Sequence, residues 1–291
     1  MSFRLRAAVA GAVLSAVSVP AYAGGTDFGY VYTVSTEEKG ETELSLWATD
    51  RRGKAQGHYD AQDYRLEVER GLTDNFQVAG YANFASHHIR SAGPGLADVS
   101  RSFSFQGLSA EFKYLVRSPR NGRLGIALYA EPGWSRIHKV SGEEADEYEL
   151  ELKAIVQKNF ANDRLVWAAN LTLEPEWERE HEEITPGVIG TETEKELAIE
   201  IATGLSYKVA PRLWLGAEGR YHSVYPDWTH GLQRENYAVY AGPSIYYDGG
   251  EWSVTATWQP QLWGGPSGPG RGLEFDDHEK RELRIKLSKE F

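Results

Sequence analysis

Acidic and basic side chains recur at every second position through long stretches of this chain. They form groups: Asp63, Arg65, Glu67 and Glu69; Glu111 and Lys113; Glu149, Glu151 and Lys153; Glu174 and Glu176; Glu196 and Glu200; Glu218 and Arg220; Lys280, Glu282, Arg284 and Lys286. A spacing of two puts each group on one face of an extended strand. Carboxylates outnumber the bases. If that face lines a water-filled opening, its acidic wall raises the local concentration of cations and repels anions. If it lines a dry interior, the same groups must pair and hydrogen-bond into a sealed network. Both readings stand on sequence alone: a narrow pore for small cations or neutral solutes, or a closed barrel with a structural or surface-binding role. Uptake of acidic sugars is disfavoured, because that lumen calls for Arg and Lys.

Histidine is the second candidate for chemistry. All eight residues (His58, His87, His88, His138, His181, His222, His230 and His278) lie in or beside the longer connections, several in acidic company such as "EREHEE" and "DDHEK". Imidazole with carboxylate can take zinc or copper, and His181 and His278 are the metal candidates. No pair has the close spacing of a strong site. The plainer reading is that imidazoles collect where strands emerge into water, and no cofactor is implied. Catalytic patterns are missing. There is no His-x-Ser pair such as membrane-barrel lipid hydrolases carry, alternation puts His222 and Ser223 on opposite faces, and no G-x-S-x-G elbow occurs. Asp276-Asp277-His278 loosely resembles the Asp-x-His of outer-membrane aspartyl-type proteases but lacks a partner pair of aspartates. The expectation is a protein that is not an enzyme.

The elements that must carry these faces read as about twelve strands, near 41–51, 59–70, 75–88, 103–117, 123–137, 147–160, 164–180, 194–208, 211–223, 235–248, 251–263 and 278–291. In each, apolar residues alternate with the charged ones: Tyr148, Leu150, Leu152, Ala154 and Val156 oppose Glu147, Glu149, Glu151 and Lys153. The connections alternate too. "GLTDN", "SPRNG", "ANDR", "APR" and "DGGE" are tight turns, whereas "SAGPGLADVSRS", "EHEEITPGVIGTET" and "GGPSGPGRGLEFDD" are long. This predicts an all-β fold, a transmembrane antiparallel up-and-down β-barrel with short periplasmic turns and longer extracellular loops. Aromatics on the apolar face fall into two groups, Phe76, Tyr207, Tyr247, Trp252 and Phe291 near the short turns and Phe84, Trp177, Tyr221 and Tyr237 near the long loops. Two interfacial girdles account for them.

Arg4 and Arg6 before the apolar stretch Ala7–Val19, then Ala21-Tyr22-Ala23, read as a secretory signal over residues 1–23. Its apolar core is well short of the ~20 residues of a membrane helix. Residues 24–40 then form an N-terminal segment that runs along the periplasmic mouth, adds a short strand or folds into the lumen, and 41–291 make the barrel. The chain has no cysteine, so its stability must come from packing, pairing or a membrane. The formal charge of −11, about −13 once Arg4 and Arg6 leave with the signal, excludes nucleic acid as a natural partner. The expected location is the cell outer membrane, with the lipid bilayer and lipopolysaccharide as surroundings. The oligomeric state is open.

The final "ELRIKLSKEF", with Leu287 and the closing Phe291 on its apolar face, resembles the assembly signal that the barrel-assembly machinery recognises in Gram-negative outer-membrane barrels. The stretch "FGYVYT…KGETELSLW" followed by "YRLEVERGLTDNFQVAGYANF" is similar to a family of uncharacterised proteobacterial outer-membrane barrel proteins, a domain of unknown function. It is also loosely like transporter barrels found near aromatic-degradation genes. The resemblance is best over about residues 28–85 and at the C-terminus. It implies architecture and location and carries no catalytic or ligand residues.

Overall fold

A computed structural model describes residues 28–93, 96–185, 188–266 and 272–291, without the side chains of 121 and 180–192. The expected signal, residues 1–23, and residues 24–27 lie outside the described part. Twelve strands appear: β1 (Thr42–Arg52), β2 (His58–Thr73), β3 (Phe76–Arg90), β4 (Val99–Arg117), β5 (Gly125–Ile137), β6 (Glu144–Phe160), β7 (Leu165–Thr185), β8 (Val188–Ala210), β9 (Leu213–Pro226), β10 (Asn236–Asp248), β11 (Trp252–Pro266) and β12 (Arg281–Glu290). Each pairs antiparallel with its chain neighbours, and β1 pairs with β12 from Glu43↔Glu290 to Arg52↔Arg281, closing the barrel.

Which face points inward separates a membrane barrel from a soluble one, and here the charged face is the buried one. In β12, Glu282, Lys286 and Ser288 are buried while Leu283, Ile285, Leu287 and Phe291 are exposed. Leu46, Val68, Leu128, Ile201 and Leu205 are each more than half exposed on other strands. So broad an apolar belt around a closed barrel is stable against lipid, not water. Rings mark both margins. Tyr247 packs on Trp252 at 5.4 Å at the short-turn end, and Phe84 stacks on Phe103 at 4.8 Å towards the long loops. Lys289 lies on the outer face with its ammonium 4.8 Å from the Phe291 ring, its stem along apolar surface.

Two expected boundaries need correction. Residues 181–193 read as a long loop, yet β7 and β8 remain paired to Thr185↔Val188, so the two strands extend through most of that stretch. The pairing continues there although the sequence shows no two-residue hydrophobic alternation. Residues 278–280 read as strand, but His278 and Glu279 belong to a connection folded inward ahead of β12.

Residues 28–38 lie inside the barrel, across its short-turn half. Phe28, Val31 and Val34 are almost fully buried. Phe28 joins Val166, Ala168 and Ala202, and Val34 joins Ala127, Tyr129 and Ile155. Close approach to the wall depends on two glycines: a Cβ at Gly204 would meet the Phe28 ring at 2.6 Å, and one at Gly29 would meet Thr257 at 2.8 Å.

Candidate functional site

The lumen is divided. The N-terminal segment has no strand partner along most of its length, so its backbone donors must be met by wall side chains. Glu218 of β9 accepts from three consecutive N–H groups, Gly29 at 2.7 Å, Tyr30 at 2.8 Å and Val31 at 3.0 Å. The Thr257 hydroxyl also donates to it, at 2.5 Å. Asn170 brackets Tyr32, accepting its N–H and donating to its carbonyl. Gln157 accepts from Val34, and Gln77 from Glu37. These four polar side chains from four strands fix a plug in register.

Above the plug, at its Tyr30 and Tyr32 rings, lies a chamber of about 210 Å³ that opens into a vestibule of about 920 Å³ at the long-loop end. Fifteen carboxylates and five Arg or Lys residues line the vestibule, so its wall carries a large negative excess. The acids are concentrated on β6, β7 and β8, where the register sets Glu147 opposite Glu178, Glu149 opposite Glu176, and Glu176 opposite Glu196. Like charges directly across a ladder are unfavourable, so this wall favours a cation beside it. Oxygens of Glu149, Glu174 and Glu176 come within 4.8 Å of one another.

The bases are used mainly as ties. Arg220 lies between Glu282 and Glu200, the latter at 3.4 Å, and stacks over the rings of Tyr30 and Tyr240. Arg284 donates to the Gly29 carbonyl at 3.0 Å and to Thr49 at 2.9 Å, and covers the other contact of the Tyr30 ring at 4.0 Å. Arg65 pairs with Glu131 at 3.0 Å, and Lys153 pairs with Glu151 beside the Tyr32 ring. Lys286 bridges Glu43 at 3.1 Å and Glu67 at 3.4 Å. Thus Glu149, Glu174, Glu176 and Glu196 border the vestibule and Arg65 the chamber below it, whereas Glu67, Glu69, Glu218 and Lys286 belong to the closed half with the plug.

Two inward connections narrow the outer mouth. Residues 138–142, between β5 and β6, are held by carbonyl contacts: Arg51 donates to Lys139, Tyr59 donates to Val140 at 2.9 Å and Arg101 to Gly142 at 2.9 Å. Residues 274–279 are pinned by Arg51 and Lys54, which reach Glu279 at 2.8 and 3.5 Å. Burial opposes the charge on Glu279, but Lys54 and Arg51 hold its carboxyl well below the ordinary range.

His278 sits in this connection, with Nε2 paired to the Asn236 side chain at 2.8 Å and its ring edge-on to His222. Burial, helped by His222, pushes it down to about 3, so it is neutral. Asn236 also donates to Asp277, so both residues of the Asp277-His278 pair are engaged structurally. The side chain of His181 lies outside the described part. While His230 meets Asp227 at 2.8 Å and His222 approaches Glu200 at 3.9 Å, His138 is grouped with two carboxylates, Glu147 and Glu178. Its Nδ1 accepts from the Ser141 N–H at 3.1 Å. Sequence spacing gave no hint of this, because the contact depends on the 138–142 connection turning inward.

Glu37 supplies a pH-sensitive element of the plug. Burial, then the neighbouring Glu43, Glu290 and Glu41, push it up to about 7, while Lys286 pulls the other way. A raised carboxylate favours the seated plug in its protonated form. That preference is whole below the ordinary carboxylate range and is lost as pH climbs to about 7. In buffers free of divalent cations, wild-type conductance is expected to rise between pH 4.5 and 7.5. Glu37→Gln should flatten the part of the profile due to plug seating. Identical profiles for both proteins would remove Glu37 from that role.

A closed, even-stranded barrel with an apolar belt outside and charged residues within is a transmembrane β-barrel of the outer-membrane type. The chain belongs to a family of unknown function, DUF6662, which matches residues 20–291. No curated protein sequence matches it. Among solved structures it is similar to an outer membrane channel from Pseudomonas putida F1, with a TM-score of 0.53 and 14% identity over 93% of this chain and 100% of that one. It is also similar to the β domain of the Bordetella autotransporter BrkA, with a TM-score of 0.54 and 10% identity over 87% of this chain and 100% of that one. At such identities the likeness speaks for the fold.

Proposed function

We propose that this barrel admits small cations, and neutral solutes of similar size, from the cell exterior through its acidic vestibule, with the N-terminal segment as the constriction on the periplasmic side. The observation that carries this is the wall of the 920 Å³ vestibule, where carboxylates outnumber Arg and Lys fifteen to five. Such a wall, backed by low-dielectric protein and lipid, draws cations to the mouth and repels anions. The outer membrane is the setting that the apolar belt and the fold support.

A second reading, a closed barrel whose vestibule only binds a surface ligand, is favoured by the depth at which Phe28, Val31 and Val34 are buried. Planar-bilayer recording of the purified protein separates the two. The transport reading expects small, cation-preferring conductance under a salt gradient. No channels at any salt or voltage, in the wild type and in plug-loosened variants alike, would leave only the binding reading.

A further inference from the structure

The closed half of the barrel contains a second acidic group, distinct from the vestibule, and its charge does not balance. Following the register around the wall, Glu290 of β12 faces Glu43 of β1, Glu43 faces Glu69 of β2, Glu69 faces Ala79 of β3, and Ala79 faces Glu111 of β4. Glu67 lies two residues along β2, on the same inner face. Glu43, Glu67, Glu69 and Glu111 are 1%, 2%, 8% and 2% exposed, and Glu37 of the plug is 0% exposed. The buried cations beside them are Lys286 and Lys113. The four wall carboxylates against two lysines leave an excess of two negative charges in the closed half, before Glu37 is counted. Buried carboxylates in excess of their cations must be neutralised by protons or by a bound cation.

Three further observations point to a ligand. Oxygens of Glu67, Glu69 and Glu111 lie within 4.8 Å of one another. Glu69 makes no hydrogen bond or ion pair among the described residues, and both oxygens of buried Glu37 are likewise without a hydrogen bond. The Tyr81 hydroxyl contacts Glu67 at 2.9 Å and also Glu111, yet it has only one proton to give. The Tyr81 oxygen therefore faces the second carboxylate unless a proton or a cation lies between them.

We propose that Glu67, Glu69 and Glu111 hold one calcium ion beneath the plug. All donors are hard oxygens, which suits calcium or magnesium over zinc or copper. Ligand type favours calcium: it takes about six to eight oxygens, several from carboxylates, in a flexible geometry, whereas magnesium demands a near-ideal octahedron and usually keeps several waters. Calcium supplies the two missing charges, and the Tyr81 oxygen then faces a carboxylate bound to the metal. The Glu37 N–H bonds Gln77, whose side-chain amide donates to Glu111 at 2.8 Å, so the site is one residue from the plug. The ion thereby ties β2, β4 and the N-terminal segment together. This proposal does not depend on whether the vestibule conducts.

The test is calcium content and affinity of the folded, detergent-purified protein at neutral pH, after chelation and titration with calcium alone. The wild type should bind one tightly held calcium in the closed half, with magnesium a poor competitor. Glu69→Gln should weaken retention by about tenfold or more, since one charged ligand is lost. Glu176→Gln, in the vestibule cluster, should leave that retention intact. Heat-modifiable gel mobility checks folding, and Glu111→Gln replaces Glu69→Gln if the latter fails to fold. The proposal is overturned if folded wild type holds no calcium, which would mean that protons neutralise the group. Retention unchanged in Glu69→Gln and Glu111→Gln, or lost in Glu176→Gln instead, would overturn it as well.

Discussion

Glu218→Ala should convert a tightly constricted barrel into a measurably more open one, without disturbing the strands. The carboxylate accepts from Gly29, Tyr30 and Val31 at once. Hydrogen bonds to a charged acceptor each contribute ~1.5–3 kcal/mol, and their loss strands three buried backbone donors. Even if water restores part of this, a loss of ~2–4 kcal/mol shifts the seated-to-released equilibrium by roughly 30- to 700-fold. The barrel itself is closed by continuous ladders to which the Glu218 side chain adds nothing. The expected readout is a several-fold rise in single-channel conductance with unchanged heat-modifiable mobility. Because the chain has no cysteine, Thr33→Cys gives a single thiol at a buried plug position. Its maleimide labelling should be slow alone and much faster when combined with Glu218→Ala. Glu218→Gln keeps one good acceptor and should fall between. Conductance and labelling both unmoved in a folded Glu218→Ala protein would mean that the segment is held by its apolar contacts.

The plug also shows where sequence reading stops. Alternation identified the twelve strands because lipid and lumen impose opposite demands on successive residues, and the run from Leu283 to Leu287 against Glu282, Arg284 and Lys286 carries that signal plainly. Residues 28–37 are mostly buried within the barrel and bond to Glu218, Asn170, Gln157 and Gln77 in place of a neighbouring strand, so they have no period to read. The stretch 181–193 was illegible for a different reason, since residues such as His181, Glu182, Glu183, Thr191 and Glu192 offer no apolar face to alternate with. The inward ladder was legible as a face but not as pairs. Whether Glu69 stands beside Lys286 or beside more carboxylates is decided by the stagger between strands, which alternation does not encode. The choice between open pore and sealed network likewise had no answer from composition, because the barrel uses one arrangement in each half.

That division determines what charge substitution should do in the outer half. Glu149, Glu174 and Glu176 project from β6 and β7 into the vestibule, partly exposed and without a hydrogen bond or ion pair among the described residues. Replacing all three with Gln removes charge with little change of shape and frees no buried partner, so folding should be retained. At about 0.1 M salt, where the Debye length is ~10 Å, the field of this cluster spans much of the vestibule, and the triple Gln variant should lose a substantial part of its cation preference. Three Lys residues in the same places should drive the reversal potential towards anion preference, because the local change is six charges. At about 1 M salt the Debye length falls to ~3 Å, and the three proteins should converge. This salt dependence distinguishes a field effect from altered pore width, which would persist at high salt. A reversal potential that is the same in all three at low salt would place the selectivity-determining step below the vestibule, at the Tyr30 and Tyr32 rings. Anion preference in the wild type would reject the proposed role of the acidic wall.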